Sequence, residues 1–295
     1  MRKYLFVVWV WVAFALCWGG KPQLLETANA NMIINPYRFG GESNPAMITT
    51  WELTVDDTAG RTITLPLRSG FTYDFEVDWG DGNSGTVTNY DDADRIHEYA
   101  STGTVTVSMT GTLEAWYFNN GGDKLKFKTV ESWGDVEMTG LGLESAFYGC
   151  VNASGFADFT AMPVTSLKST FFNCNTLVTS PSVVALSSVD SLYQTWFDCN
   201  SMTSGPDLSS MTNVTTMYRA FRDTALASVP SLPVASTALE NVGTFMYQIG
   251  SGMTGTVVAV WNTNNFPNIT LFGDAFTGAT GLDNYADIPD AWKGL

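Results

Sequence analysis

The chain has 295 residues, 45% of them hydrophobic, which is enough to bury one large core or two ordinary ones. It carries 14 Lys and Arg against 29 Asp and Glu, so its formal net charge is −15, and it contains a single His. This acidic balance argues against nucleic acid as a partner, because phosphate backbones are bound by basic stripes. One His leaves little scope for His-rich metal sites or His-assisted nucleophiles. The composition favours a non-enzymatic, extracytoplasmic β-rich protein.

Residues 1–30 form a hydrophobic N-terminal segment, in which the basic pair Arg2-Lys3 precedes an apolar run over residues 5–18. As a helix this run extends roughly 21 Å, short of the ~30 Å hydrocarbon core of a bilayer. The pattern favours a secretory signal, with Ala28-Asn29-Ala30 as the small-x-small cleavage site. An assembly anchor buried in a virion or partner protein, and a true membrane span, remain alternatives.

After a linker over residues 31–50, residues 51–128 show the period-two alternation of half-buried strands. Apolar and polar residues alternate in Phe71–Trp79 and again in Val105–Met109. The Gly80–Asn83 cluster between them is typical of a turn. Short strands at this spacing predict an antiparallel β-sandwich.

Three motifs of this segment occur in a recognisable order: Val77-Asp78-Trp79-Gly80-Asp81-Gly82, then His97-Glu98-Tyr99, then Gly103 before a strand. They resemble a PKD-type immunoglobulin-like domain, although that family often has Asp-Phe where this chain has Asp78-Trp79. The resemblance implies a spacer or adhesion module with no catalytic residue to carry over. His97 is accordingly expected to be structural rather than a general base or a metal ligand.

Residues 129–295 repeat with a period near 25, each unit placing an aromatic residue three positions before a small one. This period predicts a solenoid of about six coils, stacked ~4.8 Å apart, in which equivalent side chains form interior ladders. The rings predicted to form the structural ladder are Phe147, Phe171, Trp196, Phe221, Phe245 and Phe276.

Cysteine follows the ring in three of these units, at Cys150, Cys174 and Cys199. The units resemble BspA-like leucine-rich repeats, which read approximately "aF-x-x-C-x-x-L". The predicted fold class is therefore all-β: an N-terminal PKD/Ig-like β-sandwich followed by a BspA-like leucine-rich-repeat β-solenoid. The spacing favours buried free thiols in the ladder, while a disulfide and metal or redox chemistry remain alternatives.

Two groups of acidic residues are candidate sites. Calcium prefers hard oxygen ligands, but Asp and Asn also form turns without a metal, so the first group is a weak calcium candidate. The second group is near the domain junction, where paired carboxylates would suit glycoside hydrolysis, but its spacing defines no cleft. The first group is Asp78, Asp81, Asp91, Asp92 and Asp94, and the second is Glu114, Glu131, Glu137 and Glu144. No catalytic residue, cofactor or metal is assigned.

The sequence thus favours a non-enzymatic structural or adhesion protein exposed outside the cell, as a phage tail, fibre or spike component that contacts the host surface. The expected partners are other virion or surface proteins, reached through the N-terminal segment, and a host cell-surface glycan or protein. A homo-oligomer or multicopy assembly is expected, because arrayed modules bind tightly through weak contacts. A secreted or surface-anchored bacterial adhesin is the alternative, and a polysaccharide depolymerase is a third hypothesis.

Overall fold

A computed structural model describes residues 45–249 and 252–295, which belong to one compact unit. The N-terminal segment 1–30, predicted as a signal or anchor, and most of the linker lie outside the described residues. What is described is rich in strands and poor in helices, which confirms the β-rich part of the predicted fold class. The α-helices in these ranges have four residues each, whereas about 20 are needed to span a bilayer.

The strands are β1 (Met47–Leu53), β2 (Thr62–Thr64), β3 (Tyr73–Asp78), β4 (Ser84–Val87), β5 (Ile96–Glu98), β6 (Gly103–Leu113), β7 (Phe127–Ser132) and β8 (Gly155–Phe156). The helices are the four-residue α1 (Thr58–Arg61) and α2 (Asp290–Lys293), and the 3-10 helices are Ala93–Arg95 and Tyr285–Asp287.

Six strands form one sheet in the order β4-β3-β6-β1-β7-β8, and β2 pairs with β5 in a separate two-stranded sheet. All pairs are antiparallel except β7 with β8. Strand β1 begins at Met47, four residues before the predicted domain boundary at 51. The reason is that Met47 and Thr49 are buried on the same face as Trp51, so the alternation extends into the predicted linker.

Strand β7 spans the predicted boundary at residue 129 and ties the two halves of the chain together. It pairs with β1 on one side and with β8 on the other. The Phe127 ring meets Trp51 edge-on at 5.2 Å between centroids, and it lies 5.2 Å from Phe147, the first ring of the repeats. Sheet and core therefore continue from the first half into the second.

From residue 140 onward the backbone consists mostly of turns, and successive repeats are joined by single parallel bridges. One row of bridges connects equivalent positions of five repeats: Ser166, Ser191, Thr216, Asn241 and Leu271. Each repeat also has two residues with left-handed φ, four positions apart. The first of each pair is Ser145, Ser169, Gln194, Arg219, Thr244 or Asp274, and the second is Gly149, Asn173, Asp198, Asp223, Gln248 or Gly278.

Buried threonine hydroxyls satisfy backbone carbonyls of the preceding repeat. The hydroxyl of Thr170 donates to the carbonyl of Leu143 at 2.8 Å, and Thr195 donates to Leu167 at 2.9 Å. Turns leave such groups free, and buried ones require partners. The threonines that precede the rings of Phe171 and Trp196 therefore have a structural role.

Both ends of the row of repeats are covered by other parts of the chain. At the N-terminal end the segment 114–120 bonds to the first repeat, for example from the Phe118 N–H to the Ala146 carbonyl at 3.1 Å. At the C-terminal end the Phe276 N–H donates to Trp292, whose ring stacks on Phe272 at 4.5 Å. Repeat arrays need such caps, because the last repeat otherwise exposes its apolar face.

Candidate functional site

The Gly80–Asn83 turn is held to β5 and to Tyr99, the residue that follows this strand. The His97 ring stacks on Trp79 at 5.0 Å, and its Nε2 lies 2.8 Å from Oδ2 of Asp81. The Tyr99 hydroxyl donates to the Trp79 carbonyl at 2.9 Å. Burial raises the pKa of Tyr99, so its hydroxyl stays protonated and available as a donor. The one hydrogen bond of the His97 side chain to a described residue, that with Asp81, therefore orders the turn, while the His97 backbone pairs with Ile63 in β2.

The five weak calcium candidates lie along the same loops, where most of them hold backbone N–H groups. Asp78 accepts from Gly80, Asp81 from Asn83, Asp92 from Thr88 and Asp94, and Asp94 from Thr86, while Asp91 accepts no hydrogen bond in the described ranges. These are turn and edge-strand caps. Among the residues that the structure describes, no three His, Cys, Asp or Glu side chains converge to hold a metal ion.

Asp81 makes this turn sensitive to acid. Burial alone would raise its pKa, but hydrogen bonds from His97 and Asn83 outweigh burial and lower it. A carboxylate with a lowered folded-state pKa stabilises the fold above its unfolded pKa of ~3.9, and this stabilisation is lost as the pH falls through the folded value. We therefore expect Asp81→Asn to lower the free energy of unfolding at about pH 6, and the difference from wild type to vanish near about pH 2.

Denaturant titrations at both pH values measure this difference. Asp91→Asn is the matched control, since its carboxylate accepts no hydrogen bond in the described part of the chain and its removal should change neither value. A gap between Asp81→Asn and wild type that stays constant with pH would contradict this account of the turn.

In the repeats, the predicted rings lie on top of one another. Phe147 and Phe171 stack at 5.8 Å with 9° between their planes, Phe171 and Trp196 at 6.2 Å and 18°, and Trp196 and Phe221 at 5.0 Å and 8°. All are fully buried. Parallel rings one repeat apart require equivalent backbone positions at each level, so these four share one register.

Phe245 departs from that register by one residue. The Phe221 N–H donates to the Phe245 carbonyl, just as the Phe147 N–H donates to Thr170, the residue before Phe171. The position equivalent to Phe221 is therefore held by Met246, and the prediction for Phe245 is corrected by one residue. The Phe245 ring nevertheless reaches the column, meeting Phe221 at 5.4 Å and Phe276 at 6.3 Å in edge-to-face contacts.

Cys150, Cys174 and Cys199 lie beside this column as buried free thiols. The Cys174 thiol donates to the Phe147 carbonyl at 3.3 Å, and Cys199 donates to Phe171 at 3.0 Å. Burial raises the pKa of Cys150 and Cys174 well above the ordinary value and that of Cys199 to about 12. Because the thiolate is the reactive form, these groups are chemically quiet in the folded protein.

We expect Cys150, Cys174 and Cys199 to react with iodoacetamide at least ~100-fold more slowly in the folded protein than after unfolding. Peptide mass spectrometry after timed labelling at neutral pH reads each position separately. Ser201→Cys supplies the control, since residue 201 is exposed and its thiol should label in the folded state. Equal labelling of the control and ladder positions in folded protein would overturn the assignment of a closed interior.

Of the four junction glutamates, two line a common cleft. A cleft of about 240 Å³ is bounded by Gly111, Thr112, Glu114, Asp135, Glu137 and Thr139. Glu131 and Glu144 do not line it; Glu131 accepts a hydrogen bond from Thr129 and Glu144 from Ser166. Asp135, which the sequence did not single out, lines this cleft.

Two further columns of equivalent side chains face outward from the repeats, and the sequence motifs did not predict them. One column lies three positions before each ladder residue; this outer tyrosine column contains Lys168, Tyr193, Tyr218 and Gly243. The other lies one position after each ladder residue; this outer phenylalanine column contains Tyr148, Phe172, Phe197, Arg222 and Tyr247. Phe172 and Phe197 stack at 4.6 Å, and Arg222 lies between the Phe197 and Tyr247 rings. The recurrence of Tyr, Phe and Arg at fixed offsets from the ladder was the available signal.

Comparison with protein-family models, with curated proteins and with solved structures finds no match to this chain.

Proposed function

We propose that this chain is a non-enzymatic structural and adhesion protein exposed outside the cell, as a phage tail, fibre or spike component that contacts the host surface. In this proposal the first half is a PKD-like spacer and the second half is a BspA-like leucine-rich-repeat solenoid that carries the contact surface. The N-terminal segment attaches the protein to its particle.

The observation that carries the proposal is the regular stacking of the repeats. The ring column runs through the interior among buried aliphatic side chains, so stability depends on inward-facing positions. Outward-facing positions are free to vary without disturbing that interior, and a row of repeats presents a long surface. A fold in which inward-facing positions supply stability and outward-facing positions are free to vary suits a protein whose contact surface must change with its host.

The PKD-like assignment is supported by the contacts among its motif residues. Trp79, Asp81, His97 and Tyr99 form one closed set of ring and hydrogen-bond contacts around the Gly-Asp-Gly turn. A spacer needs a rigid fold more than it needs chemistry, and these contacts supply rigidity.

Immunogold electron microscopy with antibodies against residues 45–295 tests the proposal. We expect intact phage particles from the source of the sequence to be labelled. Labelling of intact bacterial cells instead would favour the alternative, a surface-anchored or secreted adhesin. Labelling that requires cell lysis, with no label on particles or intact cells, would contradict both.

The depolymerase hypothesis has one observation in its favour, the cleft lined by Glu114, Asp135 and Glu137. Carboxylate pairs can hydrolyse glycosidic bonds. Incubation of the purified protein with host polysaccharide, followed by an assay for new reducing ends, separates the cases. Our proposal predicts that no new reducing ends form. If reducing ends do form, and if the Glu137→Gln variant does not produce them, the protein is a depolymerase rather than a non-enzymatic adhesion protein.

A further inference from the structure

The outer tyrosine column combines stacked rings with two cations. Tyr193 and Tyr218 stack at 5.2 Å with 25° between their planes. The Lys168 ammonium lies 5.7 Å from the centre of the Tyr193 ring, and the Arg219 guanidinium lies 4.8 Å from that of Tyr218. Gly243 ends the column, and the Tyr218 ring covers it so closely that an added Cβ would lie 3.2 Å from the ring.

Positive charge in the repeats is concentrated on this side. Residues 129–295 contain 14 acidic residues and only four basic ones, three of which (Lys168, Arg219 and Arg222) project from the two outer columns or beside them. Arg222 is paired with Asp223 at 3.2 Å, and Asp198 holds the position equivalent to Asp223 in the preceding repeat. Lys168 and Arg219 make no ion pair with any residue that the structure describes.

Of Lys168 and Arg219, Arg219 has the greater unmet hydrogen-bonding capacity. Its Nε is buried and has no hydrogen-bond acceptor among the described residues. The two Nη groups of Arg219 are not buried and donate to no described residue, so they are available to an external acceptor. The ring contact with Tyr218 orients the guanidinium, whose planar fork matches a carboxylate in two hydrogen bonds.

We propose that the outer tyrosine column, together with Arg219, binds a carboxylated polysaccharide. Arg219 pairs with one sugar carboxylate, Lys168 attracts a second two repeats away, at roughly 10 Å, and the ring edges and hydroxyls of the two tyrosines contact the sugars between them. This inference rests on the proposed function and names the class of host ligand that the contact surface takes.

A linear polymer of moderate charge fits this column better than a dense polyanion does. The column runs along the row of repeats, so an extended chain can follow it from level to level. The net charge of −15 repels a molecule with the charge density of a nucleic acid, whereas two isolated cations beside aromatic rings suit carboxylates spaced along a sugar chain.

Isothermal titration calorimetry of the full chain with polygalacturonate, at low and at high salt, tests the proposal. We expect binding that weakens with salt, and a loss of about tenfold or more in Arg219→Gln, the size of one charge-assisted hydrogen bond. Lys168→Gln should lose several-fold. Gln suits position 219, because Gln194 has the same left-handed φ of 55° at the equivalent position of the preceding repeat.

Lys128→Gln is the matched control, since it removes one positive charge away from the column and should leave affinity within about twofold. Equal losses in the control and in Arg219→Gln, equal binding to neutral dextran or to polyglutamate, or no binding at all would each overturn the inference. Surface labelling of particles or cells is measured separately, so the proposed function survives if only the polygalacturonate experiment fails.

Discussion

Trp196→Ala is expected to lower the free energy of unfolding by about 3–5 kcal/mol, the range for truncating a large buried aromatic side chain. Trp196 is fully buried and lies between the parallel rings of Phe171 and Phe221. Its removal leaves a cavity in the middle of the column, which rigid repeats on either side cannot close. The loss also interrupts stacking at two interfaces between repeats, and in a linear array such interfaces supply much of the stability.

Chemical denaturation followed by circular dichroism measures this loss. Val178→Ala is the control, because Val178 belongs to the same region of the repeats but is 51% exposed and should change stability by no more than about 0.5 kcal/mol. Trp196→Phe keeps a ring and removes an indole N–H that is buried without a partner among the described residues, so it should lose less than the Ala variant. Equal stability of Trp196→Ala and Val178→Ala would contradict the ladder.

The second large effect is expected in the Gly-Asp-Gly turn, where Gly80→Ala should destabilise the protein by about 3 kcal/mol or more. Gly80 has a φ of 78°, and an added Cβ would lie 2.3 Å from the carbonyl oxygen of Thr106 in β6. The substitution therefore adds a backbone collision to an unfavourable conformation. Relief requires β3 to move away from β6, which would disturb the centre of the six-stranded sheet.

Gly82→Ala separates these two causes. Gly82 lies in the same turn with a φ of 92°, but no described atom lies within 4 Å of where its Cβ would be. It should lose only the conformational part, about 1 kcal/mol. Thermal unfolding of both variants gives the comparison, and a Gly80→Ala variant as stable as Gly82→Ala would show that the turn does not press on β6.

The periodic features of this chain were accessible from sequence because each repeat meets the same surroundings as its neighbours. Phe147, Phe171, Trp196 and Phe221 recur at steps of 24 or 25 residues, and each needs the same buried position. Alternation likewise identified β3 and β6. In both cases one physical constraint acts at many positions, so the resulting pattern can be recognised despite the sequence variation between those positions.

Single deviations were not accessible in this way. Alignment on aromatics selected Phe245, whereas backbone register places Met246 at the ladder position and lets the Phe245 ring reach the column from the residue before. Phe245 and Met246 can be told apart only by the hydrogen bond between repeats, in which the Phe221 N–H donates to the Phe245 carbonyl. The start of β1 at Met47 has a similar origin, because its burial depends on β6 and β7, far away in sequence.

The sites were harder to predict than the fold, because they depend on which outward residues meet. Asp81 and His97 are 16 positions apart, yet they pair at 2.8 Å once β5 lies beside the turn. Lys168 and Arg219 are two repeats apart, and their relation becomes visible only when Tyr193 and Tyr218 are seen to stack between them. Motifs identify such residues singly, while their grouping requires the register.

The most direct test of the stacked-repeat account is the unfolding of two deletion variants. Removing residues 172–196 deletes 25 residues and joins Phe171 to Phe197, so every remaining repeat keeps its register. Removing residues 172–183 deletes 12 and places later side chains out of register. The account predicts one sharp, cooperative transition for the larger deletion and none for the smaller. Cooperative folding of the 12-residue deletion, with loss of folding in the 25-residue deletion, would contradict it.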